Sequence, residues 1–366
     1  MQADDQQSPG YDYQPLGVDL EEHPASLELR NGEQYTVRGL FGQGGFSTVY
    51  RVRDRNGQQY AAKVIMQRDR RYPSHHEIET YQRIAQTPHI NLVMLHTAGE
   101  LTNPPPGFTN EVFITEACGP SIKDMMLRVQ REIEDVQLPK FSIDAIKRIG
   151  RQIGEALLHL EKLKIYHLDI KAANVTFSST VKHEVVPNFI QPIITMSDLR
   201  IKIIDYGNSL PHSIPGIPRR HKMVQPQNLR APEVFLGIPH NEKSDVWSLG
   251  CLIGEMYLGR GVLFIARLGV TQAERQQSQF ELMVARMDAI IPRDMIEMSR
   301  RGRRCTLDLN FLDNRQEVDS QDFLLNLMRE ESDYPLFQFL QFALIFNPAE
   351  RPSFDEVLNH EFLTNF

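Results

Sequence analysis

The sequence of 366 residues predicts an α+β protein in two parts, a small antiparallel β lobe and a larger, mainly α-helical lobe. Short runs rich in β-branched and aromatic residues occupy the first part, separated by glycine-containing turns. After Gly119-Pro120, apolar residues instead recur at helical spacing. We expect residues 1–33 to be a disordered tail, 34–118 the small lobe with its connector, and 119–366 the large lobe.

The small lobe is predicted as a set of hairpins with one helix. Asn56-Gly57, between two strand-like runs, is a strong hairpin signal. A helix is expected from Ser74 to Ala85, because Ser74 and Glu77 match a capping box. Strands are expected at 36–41, 47–54, 58–66, 92–95 and 112–115.

The large lobe is predicted from three helical patterns. Apolar residues at helical spacing run from Ile143 to Leu163, with Ser142 as the N-cap. Residues from Ser244 to Leu258 are apolar on most sides, which is typical of a buried central helix. Closing helices are expected at 336–345 and 354–363.

Composition excludes several classes of protein. No run approaches the ~20 apolar residues of a membrane span. The acidic, glutamine-rich N-terminus lacks the composition of a secretory signal or a transit peptide. The three cysteines form no metal-ligand pattern, and the net charge of −7 argues against a general nucleic-acid binder. We therefore expect an intracellular monomer without direct membrane or nucleic-acid contact.

A glycine-rich hairpin is the first candidate functional motif. Glycine lets backbone amides approach phosphates closely. A Rossmann site is excluded because the following segment is strand-like, and a Walker loop because no Gly-Lys-Ser/Thr is present. The motif reads Gly42-Gln43-Gly44-Gly45-Phe46-Ser47-Thr48-Val49.

Lys63 follows Ala61-Ala62 in an otherwise apolar strand. A lysine there is costly unless it is paired or exposed. It is either an ordinary exposed lysine or one that holds ATP phosphates with an acidic partner. Glu77 is the candidate partner, although it would also close the capping box with Ser74.

The segment His167–Asn174 is the decisive motif, because it follows the long amphipathic helix. Asp169 would orient an attacking hydroxyl or accept its proton. Lys171 would stabilise the transferred phosphoryl group, and Asn174 would hold a metal ion. The spacing lets one loop reach both the nucleophile and the metal.

Asp205 ends an apolar strand and precedes Tyr206-Gly207, so its carboxylate is a candidate Mg²⁺ ligand. Two further features are predicted to be structural. Glu233 and Arg351 would form a buried ion pair. Asp245 would anchor the backbone of the segment His167–Asn174, the expected catalytic loop.

Together and in this order, these motifs resemble the eukaryotic protein kinase family from Tyr35 to Phe366. The resemblance implies the bilobal kinase fold, ATP and Mg²⁺ as cofactors, and transfer to a protein hydroxyl. It implies Asp169 and Lys171 as catalytic residues, and Asn174 and Asp205 as metal ligands. The implied ATP-binding residues are Gly42, Gln43, Gly44, Gly45, Phe46, Ser47, Val49, Ala61, Lys63, Glu77, Thr115, Glu116 and Cys118.

Within that family the chain resembles the CMGC group, nearest the SR-protein kinases and the LAMMER (Cdc2-like) kinases. The resemblance rests on Arg230–Val234, Tyr206–Ser209, the long segment Thr176–Arg200 and the LAMMER-like Glu281–Met287. It implies a protein substrate, with Arg/Ser-rich splicing factors as a candidate class, and a nuclear or cytoplasmic location.

Some residues depart from the family pattern. Leu168 replaces an arginine that normally meets an activation-segment phosphate, so we expect activity without that phosphorylation. Pro226 and Leu229 stand where threonine and tyrosine are usual, which leaves a pseudokinase as the alternative. Thr115 replaces a frequent phenylalanine, which predicts a roomier nucleotide pocket. Basic clusters at 219–222 and 300–304 fit Arg/Ser-rich substrates poorly.

Overall fold

A computed structural model describes most of the chain. The described residues are 23–67, 75–133, 138–179, 182–187, 191–196, 198–211, 224–259, 263–264, 271–302, 305–312, 323–328 and 330–365. They form two compact units, one of residues 23–67 with Val93–Cys118, and one of residues 75–92 with those from Gly119 onward. The segment 75–92, which we expected in the small lobe, therefore packs with the larger unit.

The structure assigns thirteen strands and ten α-helices among the described residues. The strands are β1 Ser26–Glu28, β2 Gln34–Gln43, β3 Ser47–Arg53, β4 Gln59–Met66, β5 Leu95–Glu100, β6 Phe108–Glu116, β7 Lys140–Phe141, β8 Ile165–Tyr166, β9 Val175–Phe177, β10 Glu184–Val186, β11 Ile193–Thr195, β12 Ile201–Ile203 and β13 Leu210–Pro211. The helices are α1 His75–Gln86, α2 Ile122–Glu132, α3 Ile143–Lys162, α4 Pro232–Phe235, α5 Lys243–Leu258, α6 Gln272–Arg286, α7 Arg293–Gly302, α8 Tyr334–Ala343, α9 Phe354–Asn359 and α10 Glu361–Thr364.

The smaller unit is a six-stranded antiparallel sheet in the order β1-β2-β3-β4-β6-β5. Its hairpin turn at Asn56-Gly57 is confirmed, with Gly57 at φ 82°, a conformation that glycine adopts without steric cost. Alternate residues of the central strands, including Tyr50, Val52 and Val64, are buried in one apolar cluster. This period of two is what the predicted strands require.

The prediction that residues 1–33 form a disordered tail is wrong for β1. Ser26–Glu28 pairs with β2, and Leu27 and Leu29 are each only 1% exposed. Leu27 and Leu29 lie two residues apart and both belong to the buried apolar cluster of the sheet, although few large apolar residues surround them in the sequence.

Two other elements predicted for the small lobe begin within a few residues of the expected positions. The predicted strand at 92–95 begins only at Leu95, because Leu92 forms an isolated bridge with Ile203 in the larger unit. The predicted helix is confirmed as α1, but the expected cap Ser74 lies outside the described residues.

The larger unit is built on α5, and every residue from Ser244 to Leu258 is buried. Helices α3 and α8 pack against it. A Cβ at Gly250 would lie 2.9 Å from Leu344, so glycine is needed for this close approach. Ser142 caps α3 as predicted, since its side chain accepts a hydrogen bond from the backbone N–H of Ala145.

The final helix, predicted as one element over 354–363, is divided. His360 is extended at ψ 139°, and its Nδ1 accepts the backbone N–H of Phe362. This cap starts α10 as a separate helix. No helix among the described residues is both long and apolar enough to cross a membrane.

Candidate active site

The register of the small-unit sheet gathers the predicted nucleotide residues on one face. Val49 on β3 pairs with Lys63 on β4, and Ala61 on β4 pairs with Thr115 on β6. Directly paired residues, and residues two apart on a strand, share a face of the sheet. Val49, Ala61, Lys63 and Thr115 therefore lie on the same side.

The glycine-rich loop closes the hairpin of β2 and β3. The backbone N–H of Gly44 donates to the carbonyl of Ser47 at 2.9 Å, and Phe46 is 71% exposed at the tip. A Cβ added at Gly42 or Gly45 would meet nothing within 4 Å. The packing of the chain itself does not require glycine at these two positions, which fits close approach by a phosphate group.

The other predicted nucleotide residues lie near the ends of these strands. Glu116 ends β6, where its Oε1 accepts the backbone N–H of Met94 at 2.9 Å. Cys118 follows two residues later. Lys63 is half-buried in the smaller unit, and Glu77, 5% exposed, lies on α1 of the larger unit. Their pairing therefore stays a prediction.

The catalytic loop of the larger unit holds one oxygen of Asp169 firmly. Its Oδ2 accepts hydrogen bonds from Lys171 Nζ at 2.9 Å and Asn174 Nδ2 at 3.0 Å. Asn208 Nδ2 is a third donor at 3.2 Å. Among the residues that the structure describes, none donates to Oδ1 of Asp169. The carboxylate thus has one oxygen held by the protein and one available as an acceptor.

Asp245 anchors the backbone of this loop, as predicted. Its two carboxylate oxygens accept the backbone N–H groups of His167 and Leu168, each at 2.8 Å. Burial raises the pKa of Asp245 to about 7, while the two amide donors act in the opposite direction. Ionisation supplies the strongest acceptor for both amides.

His167 links the catalytic loop to the strand that leads to Asp205. Its Nδ1 accepts the backbone N–H of Asp169, so Nε2 carries the proton and donates to the carbonyl of Ile204 at 3.2 Å. Burial lowers the pKa of His167, which favours this neutral tautomer.

Asp205 follows β12 with φ 67°, and its Oδ1 accepts the backbone N–H of Gly207. The backbone N–H of Ile204 donates to the carbonyl of Asn174 at 2.9 Å, so the two predicted metal ligands sit on adjoining segments. No cluster of three or more His, Cys, Asp or Glu suited to a metal occurs among the described residues. Asn174 and Asp205 carry the oxygen donors that Mg²⁺ prefers.

Tyr206, which replaces a usual phenylalanine or leucine, has a partner for its hydroxyl. It donates to the carbonyl of Ile203 at 3.3 Å, and the ring is fully buried against Tyr81 and His167. The substitution therefore leaves no unsatisfied polar group.

Leu168, at the position of the usual arginine, is fully buried with φ 60°. This left-handed conformation is strained for leucine and is held by hydrogen bonds on both sides of the residue. Its N–H donates to Asp245, and its carbonyl accepts the backbone N–H of Gln225 at 3.1 Å. A buried leucine cannot bind a phosphate on the activation segment.

Gln225 connects the loop that contains Pro226 and Leu229, the expected substrate loop, to the rest of the larger unit. Its Nε2 donates to the carbonyl of Ser244 and to Ser248 Oγ, and its Oε1 accepts the backbone N–H of Ala231. Arg230 donates to its carbonyl at 3.0 Å. Pro226 and the buried Leu229, the two unusual residues of this loop, follow directly.

The predicted buried ion pair of Glu233 and Arg351 is confirmed. Both side chains are 0% exposed, and the two guanidinium nitrogens meet the two carboxylate oxygens at 2.8 and 3.0 Å. Burial acts to raise the pKa of Glu233, but the charge and hydrogen bonds of Arg351 outweigh it and hold the pKa below its usual range.

Sequence reasoning proposed roles for Asp169, Lys171, Asn174 and Asp205 but assigned none to Asn208 or Gln225. Neither forms part of a charged or glycine-rich pattern. Asparagine and glutamine are also common in loops for reasons of turn geometry. Only the positions of their partners reveal what they hold.

The chain is similar to known proteins along most of its length. Residues 35–363 match the family described as the protein kinase domain. The chain is 24% identical over 358 residues to serine/threonine-protein kinase AFC1 of Arabidopsis thaliana, across 90% of this chain and 71% of that protein. It is 25% identical over 346 residues to dual specificity tyrosine-phosphorylation-regulated kinase 2 of Drosophila melanogaster, across 90% and 41%.

Dual specificity protein kinase CLK4 of Mus musculus is 28% identical over 238 residues, across 61% of this chain and 45% of that protein. A crystal structure of a kinase domain superposes with a TM-score of 0.67 at 23% identity, covering 94% of this chain and all of that one. This likeness confirms the predicted kinase fold. The chain belongs to the protein kinase domain family, in the CMGC group with the Cdc2-like and DYRK kinases, and this family uses ATP and Mg²⁺.

Proposed function

We propose that the protein is an active serine/threonine kinase with Asp169 as its catalytic base. The observation that carries the proposal is the arrangement around Asp169. Three donors hold Oδ2, and Oδ1 accepts from no described residue. A carboxylate fixed in this way can orient a hydroxyl and accept its proton.

The other roles are those that the kinase motifs imply for these residues. Lys171 Nζ, with its side chain one-third exposed, can move from Asp169 to a transferring phosphoryl group. Asn174 and Asp205 would hold Mg²⁺. The glycine-rich loop and Lys63 would bind the phosphates. ATP with Mg²⁺, when bound, supplies the transferable phosphoryl group.

The proposed enzyme works without phosphorylation of its activation segment. In many kinases an arginine before the catalytic aspartate meets a phosphate on the activation segment, and here Leu168 is buried instead. Gln225 and Arg230 hold the adjoining loop through neutral and backbone contacts. We expect this arrangement to persist in the unphosphorylated protein.

The substrate class is a finer proposal. The relatives are described as serine/threonine-protein and dual specificity kinases. We propose serine or threonine in Arg/Ser-rich proteins as the acceptor, with the enzyme acting as a monomer in the cytoplasm or nucleus. The motif Arg230–Val234 and the LAMMER-like Glu281–Met287 support this class, while the exposed Arg300 and Arg301 oppose it.

The test is transfer from labelled ATP–Mg²⁺ to a panel of peptides, with Asp169→Ala as the control. The panel holds serine beside arginine, serine before proline, and tyrosine as acceptors. We expect transfer to the first class and almost none from the Asp169→Ala variant.

Each other outcome changes a different part of the proposal. ATP binding without transfer by the unmodified protein would overturn it in favour of a pseudokinase. Transfer only to serine before proline would overturn the Arg/Ser assignment but keep the enzyme class. Efficient transfer to tyrosine would make the enzyme one of dual specificity.

A further inference from the structure

Asn208 is the third donor to the catalytic carboxylate, and the sequence motifs assign it no chemical role. It lies three residues after Asp205 and 39 residues after Asp169. Its Nδ2 donates to Asp169 Oδ2 at 3.2 Å, and its side chain is half-buried. We propose that Asn208 is a positioning residue that orients the carboxylate of Asp169 for phosphoryl transfer. This inference rests on the proposed function, in which Asp169 is the base.

The need for such a residue follows from the freedom of an aspartate side chain. Its terminal torsion is broad and two-fold, so a carboxylate without fixed partners exchanges its two oxygens readily. Donors on one oxygen define where the other one points. In this protein all three donors meet on Oδ2 of Asp169, so Oδ1 has one preferred direction.

The other two donors have competing duties. Lys171 is expected to move toward the transferring phosphoryl group, which weakens its bond to Asp169. Asn174 is expected to bind Mg²⁺ through its amide oxygen, which ties its position to the metal. Asn208 has no expected role with nucleotide or metal, so it can hold Asp169 throughout the reaction.

The turn that carries Asn208 is anchored on both sides. Before it, Tyr206 is fully buried, and its carbonyl accepts the backbone N–H of Ser209 at 2.9 Å. After it, Leu210 pairs with Tyr166, immediately before the catalytic loop. The donor and the acceptor are therefore attached to the same pair of strands.

The usual alternative donor is missing. Pro226 stands where kinases of this group usually carry threonine, which would contact the catalytic aspartate. Proline has neither a hydroxyl nor a backbone N–H, so it cannot donate. A donor from the Asp205 side of the site compensates for this loss.

A competing explanation is that asparagine serves only the turn from Tyr206 to Ser209. The variant Asn208→Asp separates the two explanations, because aspartate has similar turn preferences and shape but cannot donate. It also places a like charge beside Asp169. The variant Asn208→Leu removes the donor with little change in size.

The experiment measures the single-turnover rate of phosphoryl transfer at saturating ATP, the KM for ATP and the melting temperature. The matched control is Asn365→Leu, which removes an exposed asparagine that donates to Glu361 at the same 3.2 Å. We expect Asn208→Leu to slow transfer about tenfold, the loss typical of one hydrogen bond to a charged group. Asn208→Asp should slow it at least as much, because it adds a like charge beside Asp169. The KM for ATP and the melting temperature should match those of the Asn365→Leu control.

The second arm adds Asn208→Leu to Asp169→Ala. We expect no further loss of the residual rate, because the group that Asn208 orients is absent. Unchanged transfer in both single variants, or a further tenfold loss in the double variant, would overturn the inference. Full activity of Asp169→Ala itself would instead overturn the proposed function, so the two failures are distinguishable.

Discussion

Replacing Arg351 by methionine should strongly destabilise the larger unit. The change removes both charged hydrogen bonds to Glu233 and leaves a buried, unpaired carboxylate. It also removes donors from the carbonyls of Lys243, Ile345 and Phe346. Breaking one partner of a buried pair costs about 3–5 kcal/mol, and the three lost carbonyl contacts place this case at the upper end.

The assay is thermal unfolding followed by circular dichroism. A loss of about 5 kcal/mol corresponds to a fall in melting temperature of about 6–7 °C in a chain of this size. The matched control is Arg301→Met, which breaks the exposed pair with Glu297 in the same unit and should have no measurable effect. The double variant Glu233→Gln with Arg351→Met should recover part of the loss, because it leaves no buried charge.

The pH dependence tests the cause. In the wild type Arg351 holds the pKa of Glu233 below its usual range, so the pair stabilises the protein fully above about pH 4.5 and weakens only as pH falls below that. In Arg351→Met, burial raises the pKa of Glu233, so the loss of stability should be largest at alkaline pH and should shrink as the pH falls toward about 4.5 and the carboxylate takes up a proton. A melting temperature equal to that of Arg301→Met, or a deficit independent of pH, would refute the reasoning.

Three other outcomes are expected. Phosphatase treatment should leave well over a tenth of the kinase activity, because the buried Leu168 binds no phosphate. Less than a tenth of the activity remaining in a peptide-phosphorylation assay would contradict this expectation. Burial raises the pKa of Glu255 to about 8, so the folded chain retains a proton that the unfolded chain loses, and wild-type stability should fall as pH rises from about 4.5 to 8. Glu255→Gln should therefore gain melting temperature relative to wild type between about pH 5 and pH 9, and a constant difference would count against a buried proton at this site. Thr115→Phe should weaken bulky ATP-competitive inhibitors at least several-fold, and equal inhibition constants would argue against a roomy pocket at Thr115.

Patterns that depend on neighbours in the chain were predictable from the sequence. The alternation of β3 and β4, the Asn56-Gly57 turn and the apolar α5 all express local rules of pleat, turn and helix. The residues proposed for catalysis and metal binding could be selected for a related reason. Asp169, Asn174 and Asp205 each occupy a short motif whose spacing is set by one loop or one strand end.

Tertiary structure decided the features that join distant segments. The strand β1 pairs with β2, and its pairing depends on the burial of Leu27 and Leu29. The average composition of the first 33 residues does not reveal this. The grouping of α1 with the larger unit depends on packing, because its sequence is compatible with either part.

The contacts of polar side chains show the same limit. No motif of the sequence assigns a chemical role to Asn208 or Gln225, and both residue types are common in ordinary loops. Asn208 contacts Asp169 because the pairing of β13 with β8 brings the turn after Asp205 beside the catalytic loop. Gln225 is held instead by Ser244 and Ser248 of α5. The sequence by itself determined which groups can react, and the fold decided which neighbours orient them, since a hydrogen bond depends on a position in space rather than on distance along the chain.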